Sequence, residues 1–540
     1  MLTRSNELLK NHRAVANWLL VLATVAVFRG MLANGFVYDD GRQVLENPFV
    51  RNPRLWRHIF TGSVWSFLGA AAETNFYRPL HIFSHWLVWR LAGPDPGSFH
   101  LYQLIFYVLA GLLVFQLGRE LFEDHLTAFA GALLWVLHPL HVEPVCWIAG
   151  VPDCGCGLFY LLAFLLFLRA EKTPGRRWAW HALAAGVYFP ALLFKEMAVS
   201  FPLLLGVYWF VKADQASWWR RGLRWLPYAA ITAVYLELRI LVLGHVSHAV
   251  HLWKVTPRVA AAAVGLLGQH TRLFFWPTGL NDFRDFDLAA SLGSPWPWIA
   301  LLGLALAVTL RRRDPALCFL ILWWPVTLLP CLDVRQLSFP LLAERFSYLP
   351  SVGLCLAVAH FLLRTVPLAV PNRRLAPLLV PVLGLALVLF TVQDLRAVPR
   401  WRDNESLWNY SYRWRHRLRS CTCTARLSSS IATTIRPAPA QNMRRRSGST
   451  TQRWSSCLPS PTIAGLASAS SPTSRGARKT PWPIFRRRSS SRPVTVRPMT
   501  SWAQSISRAA TMRGPRSISS ERWARTRWMW VPASFSELVG

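Results

Sequence analysis

Residues 14–40 read AVANWLLVLATVAVFRGMLANGFVYDD, an apolar run that ends in two aspartates. About twenty apolar residues suffice to cross a bilayer as a helix, and no small-residue cleavage site follows, so the run predicts a membrane anchor. Basic residues precede it, which by the positive-inside rule places the N-terminus in the cytoplasm: Arg4, Lys10, His12 and Arg13. Asp39 and Asp40 are therefore expected on the periplasmic or luminal side.

The adjacent carboxylates Asp39 and Asp40 are the candidate catalytic residues. An acidic pair at the mouth of a membrane-embedded site can act as a general base or hold a divalent cation. Asp40-Gly41 is also a common turn signal, so a solvated loop is the alternative. No organic cofactor is indicated.

The composition predicts an all-α polytopic membrane protein. Of 540 residues, 53% are hydrophobic and only 16% are charged, against about 25% in typical globular proteins. The apolar residues form long runs between short basic or aromatic stretches, and we expect roughly 10–12 transmembrane helices. Examples of these runs are Trp18 to Phe28, Leu101 to Leu117, Leu126 to Leu137, Leu158 to Leu168, Ile299 to Leu310 and Leu378 to Val392.

Nine cysteines carry little functional information. Cys154-Gly155-Cys156 is spaced as one half of a metal site, but no second pair with suitable spacing accompanies it. We therefore expect buried free thiols and no cysteine metal site.

The chain from Tyr412 onward differs sharply from the part before it. This tail has 24 basic and 2 acidic residues, is rich in Ser, Thr and Pro, and shows neither helical nor strand periodicity. The sequence thus predicts a membrane core over residues 1–411 and a basic, low-order tail over residues 412–540. The rest of the net charge of +34 fits a positive-inside membrane protein.

Two interpretations of the tail stand side by side. A basic tail can bind RNA or anionic lipid. We favour the hypothesis that it is a frameshifted remnant of a tetratricopeptide repeat domain, so that nucleic acid is not an expected partner. Back-translation of residues 510–532 with GC-rich codons permits DYARAALHFERALGANPVDVGA in another frame, close to the repeat consensus. The nucleotide sequence of the gene tests this hypothesis.

Charged and polar clusters recur at the ends of the apolar runs, where ionisable groups are costly and normally face a cavity or a partner. Arg78, in Tyr77-Arg78-Pro79-Leu80, can bind a phosphate through its planar guanidinium, or extend as an interfacial arginine. Lys195-Glu196 is either an internal salt bridge or a ligand-binding pair. Glu344-Arg345 places another charge pair at the entrance to a span.

A histidine cluster follows the run that ends at Leu137. His138 and His141 are three residues apart, but Pro139 and Pro144 imply a helix end. With Glu143, the cluster could bind a metal, relay a proton or contact a sugar. Asp153, ten residues further on, could share the same site.

Taken in order, the motifs resemble those of the transmembrane and tetratricopeptide-repeat O-mannosyltransferases and their bacterial relatives, which are GT-C-fold glycosyltransferases. The resemblance covers roughly residues 14–411. It rests on six short motifs: Phe36-Val37-Tyr38-Asp39-Asp40, Tyr77-Arg78-Pro79-Leu80, Phe99-His100, His138-Pro139-Leu140-His141-Val142-Glu143, Lys195-Glu196, and Glu344-Arg345-Phe346-Ser347-Tyr348-Leu349-Pro350-Ser351.

The resemblance implies a sugar transfer at the periplasmic or luminal side of a bacterial inner membrane or of the endoplasmic reticulum. The donor would be a polyprenyl-phosphate-linked sugar, with mannose favoured, and the acceptor a hydroxyl of a protein or glycan. Asp39 or Asp40 would accept the hydroxyl proton while the anomeric carbon inverts. Candidates for stabilising the phosphate leaving group are Arg78, His138, His141 and Arg345. The resemblance adds Tyr77, His100, Glu143, Asp153, Lys195, Glu196 and Glu344 as substrate-binding candidates.

One motif departs from the family pattern, and two other functions compete. Family members commonly carry Gly-Arg-Ala-Asp where this chain has Gly150-Val151-Pro152-Asp153. A transporter or flippase of lipid-linked sugars would also bury internal charges, but the internal repeats common in such proteins are missing from the sequence. A membrane anchor for a nucleic-acid-binding tail is the third possibility.

Overall fold

A computed structural model describes residues 13–413 except 70–73, 123, 213–216, 245–254, 282–283, 336–339 and 370–375. Within these ranges the chain forms helices and turns, and one isolated β-bridge pairs Arg284 with Leu342. The predicted tail, residues 412–540, lies almost entirely outside the described residues, so its predicted character stays a prediction.

The described part of the chain contains thirteen helices of ten or more residues. They are α1 (Arg13–Phe28), α2 (Pro79–Ala92), α3 (Pro96–Phe122), α4 (His125–Val136), α5 (Val151–Lys172), α6 (Arg177–Phe194), α7 (Phe201–Lys212), α8 (Trp218–Leu243), α9 (Pro257–Phe275), α10 (Trp296–Thr309), α11 (Pro315–Leu328), α12 (Ser351–His360) and α13 (Ala376–Ala397).

Several of these helices are long and apolar enough to span a bilayer. Within the described residues, five segments meet this criterion, and the bent pair His125–Val136 and Pro139–Cys146 is a sixth if it forms one span. The five are Ala14–Ala33, Pro96–Phe122, Ile148–Lys172, Trp219–Leu243 and Leu379–Trp401. The prediction of an all-α polytopic membrane protein is confirmed. The predicted total of 10–12 spans exceeds this number and stays a prediction.

Prolines act differently from one apolar run to the next. Pro190 and Pro325 lie inside α6 and α11, which continue through them. Pro202 is the second residue of α7, and Pro350 directly precedes α12. A proline is tolerated in the first helical turn, where its missing N–H has no intrahelical partner. Sequence alone therefore leaves the number of separate helices open.

Small residues allow α5 to pack closely against α6 and against the turn before α12. A Cβ atom on Gly155 would lie 2.5 Å from the ring of Phe194, and one on Gly157 would lie 2.6 Å from the ring of Tyr348. The intervening Cys156 is buried and its thiol is directed at the backbone oxygen of Lys195, 3.9 Å away. The Cys-Gly-Cys-Gly sequence thus serves close helix packing.

Candidate functional site

A charged cavity of about 310 Å³ lies at the ends of several helices. Its wall comes from the loop after α1, the chain before α2, the first turns of α2 and α5, the turn after α6, α8, the turn after α11, and the turn that precedes α12. Its Asp, Glu, Lys and Arg lining residues come from six separate parts of the chain: Asp39, Arg78, Asp153, Lys195, Glu196, Arg239 and Arg345. Six of these seven are candidates predicted from the sequence.

The two adjacent aspartates have different surroundings. Asp39 lines the cavity, whereas Asp40 is fully buried and accepts hydrogen bonds from the backbone N–H groups of Val37 (2.9 Å) and Ala149 (2.8 Å). Burial raises the pKa of Asp40 to about 8 against the opposing effect of these hydrogen bonds. Asp40 therefore joins the loop after α1 to the turn before α5, and only Asp39 faces the cavity.

Tyr38, the residue before Asp39, has a strained backbone. Its φ of +57° lies in the left-handed region, which costs a non-glycine residue on the order of 1 kcal/mol. Its N–H donates to Oδ1 of Asn404 at 2.8 Å, and its ring packs against Trp147 and Trp408. These contacts offset the strain and direct Asp39 towards the cavity.

The chain that follows α13 supports the same loop. This stretch comprises residues 398–413. Its carbonyls of Val398 and Arg402 accept hydrogen bonds from the Asn34 side chain (3.3 Å) and the Gly35 backbone (2.8 Å), beside the bond from Tyr38 to Asn404. Three hydrogen bonds thus connect the loop that carries Asp39 to a segment more than 360 positions away in sequence.

Arg78 and Glu196 form a two-point ion pair at the cavity wall. Nε of Arg78 donates to Oε2 of Glu196 at 2.8 Å, and Nη2 of Arg78 donates to Oε1. Burial alone would raise the pKa of Glu196, but the charge and hydrogen bonds of Arg78 outweigh it and lower that pKa to about 2. The guanidinium also lies over the ring of Phe76, 4.4 Å from its centroid.

Lys195 pairs with Asp153 rather than with its neighbour Glu196. Nζ of Lys195 lies 2.5 Å from Oδ1 of Asp153, and both side chains are almost fully buried. The alternative of an internal Lys195–Glu196 salt bridge is therefore wrong, because an extended backbone at Lys195 separates the two neighbouring side chains. Each finds a partner far away in sequence.

Glu344 and Arg345 also have separate partners. Arg345 pairs with Oε1 of Glu143, and its backbone N–H donates to Oε2 at 2.9 Å. Glu344 accepts from the backbone of Asn281 (2.5 Å) and from Arg284 (3.1 Å). Burial, only partly opposed by Arg284, raises the pKa of Glu344 to about 7. Arg345 lines the cavity, whereas Glu143 lies outside the cavity lining and holds Arg345 in position.

The remaining predicted site residues are buried away from the cavity lining. His138 bonds the carbonyl of Phe274 (3.2 Å), and His141 lies between the hydroxyls of Tyr107 (3.0 Å) and Ser351 (2.9 Å). The helix end predicted at Pro139 is present, but it turns both imidazoles into the helix packing. Two further candidates are also buried: Tyr77, whose hydroxyl donates to Phe60, and His100 in α3.

Two basic side chains of the cavity lining, Arg239 and His81, were not predicted from the sequence. Arg239 of α8 donates to the side-chain oxygen (2.5 Å) and carbonyl (2.6 Å) of Asn75 and is buried. A basic residue within the apolar stretch Trp219–Leu243 was the available signal. His81, in the first turn of α2, also lines the cavity and carried no comparable signal.

The donors do not make a site for a divalent cation in the described part of the chain. There, no three His, Cys, Asp or Glu side chains come close enough together to hold a metal ion. Of the cavity carboxylates, Asp153 and Glu196 are already bound by Lys195 and Arg78. A cation requirement stays an untested expectation.

The fold and the cavity define a polytopic membrane protein with three acidic and four basic side chains, histidine apart, at one internal site. Comparisons with known proteins narrow this class. Residues 78–240 match the family model described as dolichyl-phosphate-mannose-protein mannosyltransferase. The protein O-mannosyl-transferase TMTC2 of Mus musculus is 30% identical over 191 residues, which cover 34% of this chain and 22% of that protein.

A second relative extends the match. The protein O-mannosyl-transferase TMTC3 of Homo sapiens is 24% identical over 383 residues, covering 63% of this chain and 42% of that protein. The chain thus spans less than half the length of these relatives. The resemblance to the transmembrane and tetratricopeptide-repeat O-mannosyltransferases, predicted from the motifs, is confirmed over the matched residues.

Two solved structures are also similar at low identity. The archaeal oligosaccharyltransferase AglB of Archaeoglobus fulgidus has a TM-score of 0.46 at 14% identity, with 72% of this chain and 56% of that chain covered. ArnT of Cupriavidus metallidurans has a TM-score of 0.38 at 15% identity, with 78% and 80% covered.

Proposed function

We propose that this protein is a membrane glycosyltransferase that moves a sugar from a polyprenyl phosphate to a hydroxyl of a protein or glycan. The observation that carries the proposal is the cavity in which Asp39 faces the same space as Arg78, Lys195 and Arg345. A base and several cations in one enclosed space are what a displacement at a phosphate-linked carbon requires.

Mannose is the favoured sugar because of the relatives. Their names specify O-mannosyl transfer, and the matching family model specifies a dolichyl-phosphate-mannose donor. That model covers Arg78, Asp153, Lys195, Glu196 and Arg239, five of the charged residues of the cavity. The part of the chain with the specific family match therefore supplies most of the cavity's charge.

In the proposed reaction, Asp39 is the general base. The acceptor hydroxyl oxygen attacks the anomeric carbon and its proton passes to the Asp39 carboxylate. The bond between that carbon and the phosphate oxygen breaks, and the phosphate leaves with the electron pair. Because attack and departure occur on opposite faces, the anomeric configuration inverts.

The cations of the cavity would stabilise the phosphate. The partners Glu196, Asp153 and Glu143 position Arg78, Lys195 and Arg345, respectively, before any substrate arrives. Charges held in place need little reorganisation when negative charge develops on the leaving group, which makes them effective in a buried site. We assign Asp40 a positioning role, because both of its oxygens bind backbone N–H groups.

The proposed topology places the N-terminus in the cytoplasm and the cavity towards the periplasm or lumen. The loop that carries Asp39 directly follows the first candidate span, Ala14–Ala33. The basic residues before that span support this orientation through the positive-inside rule. The donor lipid would then enter the cavity from the bilayer, and the acceptor would enter it from the periplasm or lumen.

Transfer by the purified protein tests the proposal. The protein is reconstituted in vesicles with polyprenyl-phosphate-mannose and a serine- and threonine-rich acceptor peptide, and product is followed by mass spectrometry. Asp39→Asn should lower the transfer rate by about 100- to 10,000-fold, the usual contribution of a general base. Asp285→Asn, which changes an exposed aspartate outside the cavity, is the matched control and should retain full activity.

Substitutions of the two aspartates distinguish the general base, Asp39, from the positioning residue, Asp40. Asp40→Asn should reduce both folded yield and rate, since an amide can accept only one of the two backbone hydrogen bonds. Full transfer by folded Asp39→Asn protein would remove the assignment of the base. Absence of transfer by the wild-type protein with a range of polyprenyl-phosphate sugars and acceptors would remove the proposed function.

A further inference from the structure

His81 places a buried imidazole at the charged cavity. It lines the cavity, and its residue is only 2% exposed. Neither ring nitrogen has a hydrogen-bond partner among the described residues. A buried polar group normally finds such a partner, because an unsatisfied one costs about 1–3 kcal/mol. The vacant hydrogen-bonding capacity points to a ligand group.

The surroundings determine the chemical form of this imidazole. Burial, together with the neighbouring His85, Arg78 and Lys195, lowers the pKa of His81 well below its usual range. The ring is therefore neutral at physiological pH and presents one N–H donor and one nitrogen acceptor. A phosphate would gain more from the adjacent cations, whereas a hydroxyl can use both functions of a neutral imidazole.

The backbone fixes where the imidazole lies. His81 is in the first turn of α2, three residues after Arg78. The backbone N–H of His81 donates to the backbone carbonyl of Arg78 at 3.1 Å. On its other side, its ring packs edge-on against that of His85, with 4.8 Å between centroids. His85 is in turn 3.3 Å from the Tyr102 hydroxyl. The imidazole thus has a fixed place beside the proposed phosphate-binding guanidinium.

We infer that His81 determines sugar specificity by hydrogen bonding a hydroxyl of the transferred sugar. The inference rests on the proposed function, in which Arg78 contacts the phosphate that carries the sugar. A sugar bonded to that phosphate lies within a few ångströms of it, as His81 lies beside Arg78. A site built to bond a hydroxyl rejects an analogue that lacks it, because its buried polar groups are then left unsatisfied.

Deoxy-sugar donors test the inference. Polyprenyl-phosphate-mannose and its 2-, 3-, 4- and 6-deoxy analogues are compared as donors for the wild-type protein, His81→Leu and His81→Gln. The wild-type protein should use one analogue with kcat/KM lowered by about 100-fold or more. His81→Leu should lose a similar factor with mannose itself and discriminate little against that analogue. His81→Gln, which retains a donor and an acceptor, should recover part of both.

The test includes one control variant, and three outcomes would overturn the inference. His58→Gln changes an exposed histidine outside the cavity lining and should leave the whole donor profile unchanged. Wild-type transfer with equal use of all deoxy donors would overturn the inference even if neither His81 variant folds. A folded His81→Leu protein with the wild-type donor profile would also overturn it. Absence of any wild-type transfer would instead overturn the proposed function and this role with it.

Discussion

Replacing Glu196 by glutamine tests the two-point ion pair of the cavity wall. The substitution keeps the size of the side chain and one acceptor oxygen but removes the charge that faces Arg78. The pKa of Glu196 is lowered from 4.5 to about 2, and this shift corresponds to about 3 kcal/mol in favour of the charged form. Because the carboxylate is 29% exposed, we take about 2 kcal/mol as the loss of stability at pH 7.

The pH dependence of this loss has a definite sign. Since the pKa of Glu196 is depressed in the folded protein, its contribution is fully present above the unfolded value of 4.5. It is lost as the pH falls from about 5 to 2, where the carboxylate becomes protonated in both states. The stability difference between wild type and Glu196→Gln should therefore be constant from pH 7 to 5 and about halved near pH 3.

Unfolding in detergent micelles, followed by tryptophan fluorescence at several pH values, measures this difference. Glu405→Gln, which neutralises an exposed glutamate, is the matched control and should lie within about 0.5 kcal/mol of wild type at every pH. A Glu196→Gln loss below that level at pH 7 would refute the pairing argument. So would a loss that is the same at pH 3 as at pH 7.

Two further predictions concern the loop that carries Asp39 and the helix packing. Asn404→Ala removes the acceptor for the Tyr38 N–H, so the transfer rate should fall by about fivefold for a lost hydrogen bond of about 1 kcal/mol, whereas exposed Asn409→Ala should change neither rate nor folding. Equal rates in the two variants would contradict the support of the loop. Gly353→Ala would place a Cβ 2.5 Å from a carbonyl of α11 and should lower the free energy of unfolding by about 1–3 kcal/mol. Gly303→Ala, at a position with open space around it, should be neutral or stabilising. Similar stability of the two variants would contradict the packing.

The sequence predicts the helices well because their signal is local. The apolar runs Leu101 to Leu117 and Leu158 to Leu168 fall inside α3 and α5. An apolar run long enough to span a bilayer must satisfy its backbone hydrogen bonds internally, and a helix does so without reference to the rest of the chain. Helix ends at prolines were less predictable, since Pro190 lies within α6 and Pro350 precedes α12.

The ion pairs could not be predicted from the sequence because their partners are distant. Lys195 stands next to Glu196, yet its partner is Asp153, 42 positions away. Arg345 pairs with Glu143 across 202 positions. The folding of the helices, and not the motif, determines these contacts, so the motifs identified the residues but not the pairs.

The histidine cluster illustrates the limit of motif reasoning. His138 and His141 look like ligands in sequence, but their ring nitrogens bond protein groups in the helix packing. His81 carries no motif of its own, yet it is the histidine that lines the cavity. Whether an imidazole nitrogen is left for a ligand depends on the tertiary neighbours, and these are visible only in the folded structure.

The tail hypothesis can be tested independently of the membrane core. Residues 414–540 lie outside the described part of the chain, and the frameshift stays a prediction from residue composition. Sequencing the coding DNA across codons 400–420 should reveal an inserted or deleted base whose correction restores a repeat-coding frame. An intact frame there would mean that the basic tail is genuine.

The position of a bound donor lipid shows whether the charged cavity is the donor site. An electron cryo-microscopy map of the protein in nanodiscs with excess polyprenyl phosphate should contain phosphate density inside the charged cavity, next to Arg78, Lys195 and Arg345. Asp39 should face the same space in that map. Phosphate density at another site, with the cavity closed to the lipid, would refute the assignment of the cavity as the donor site.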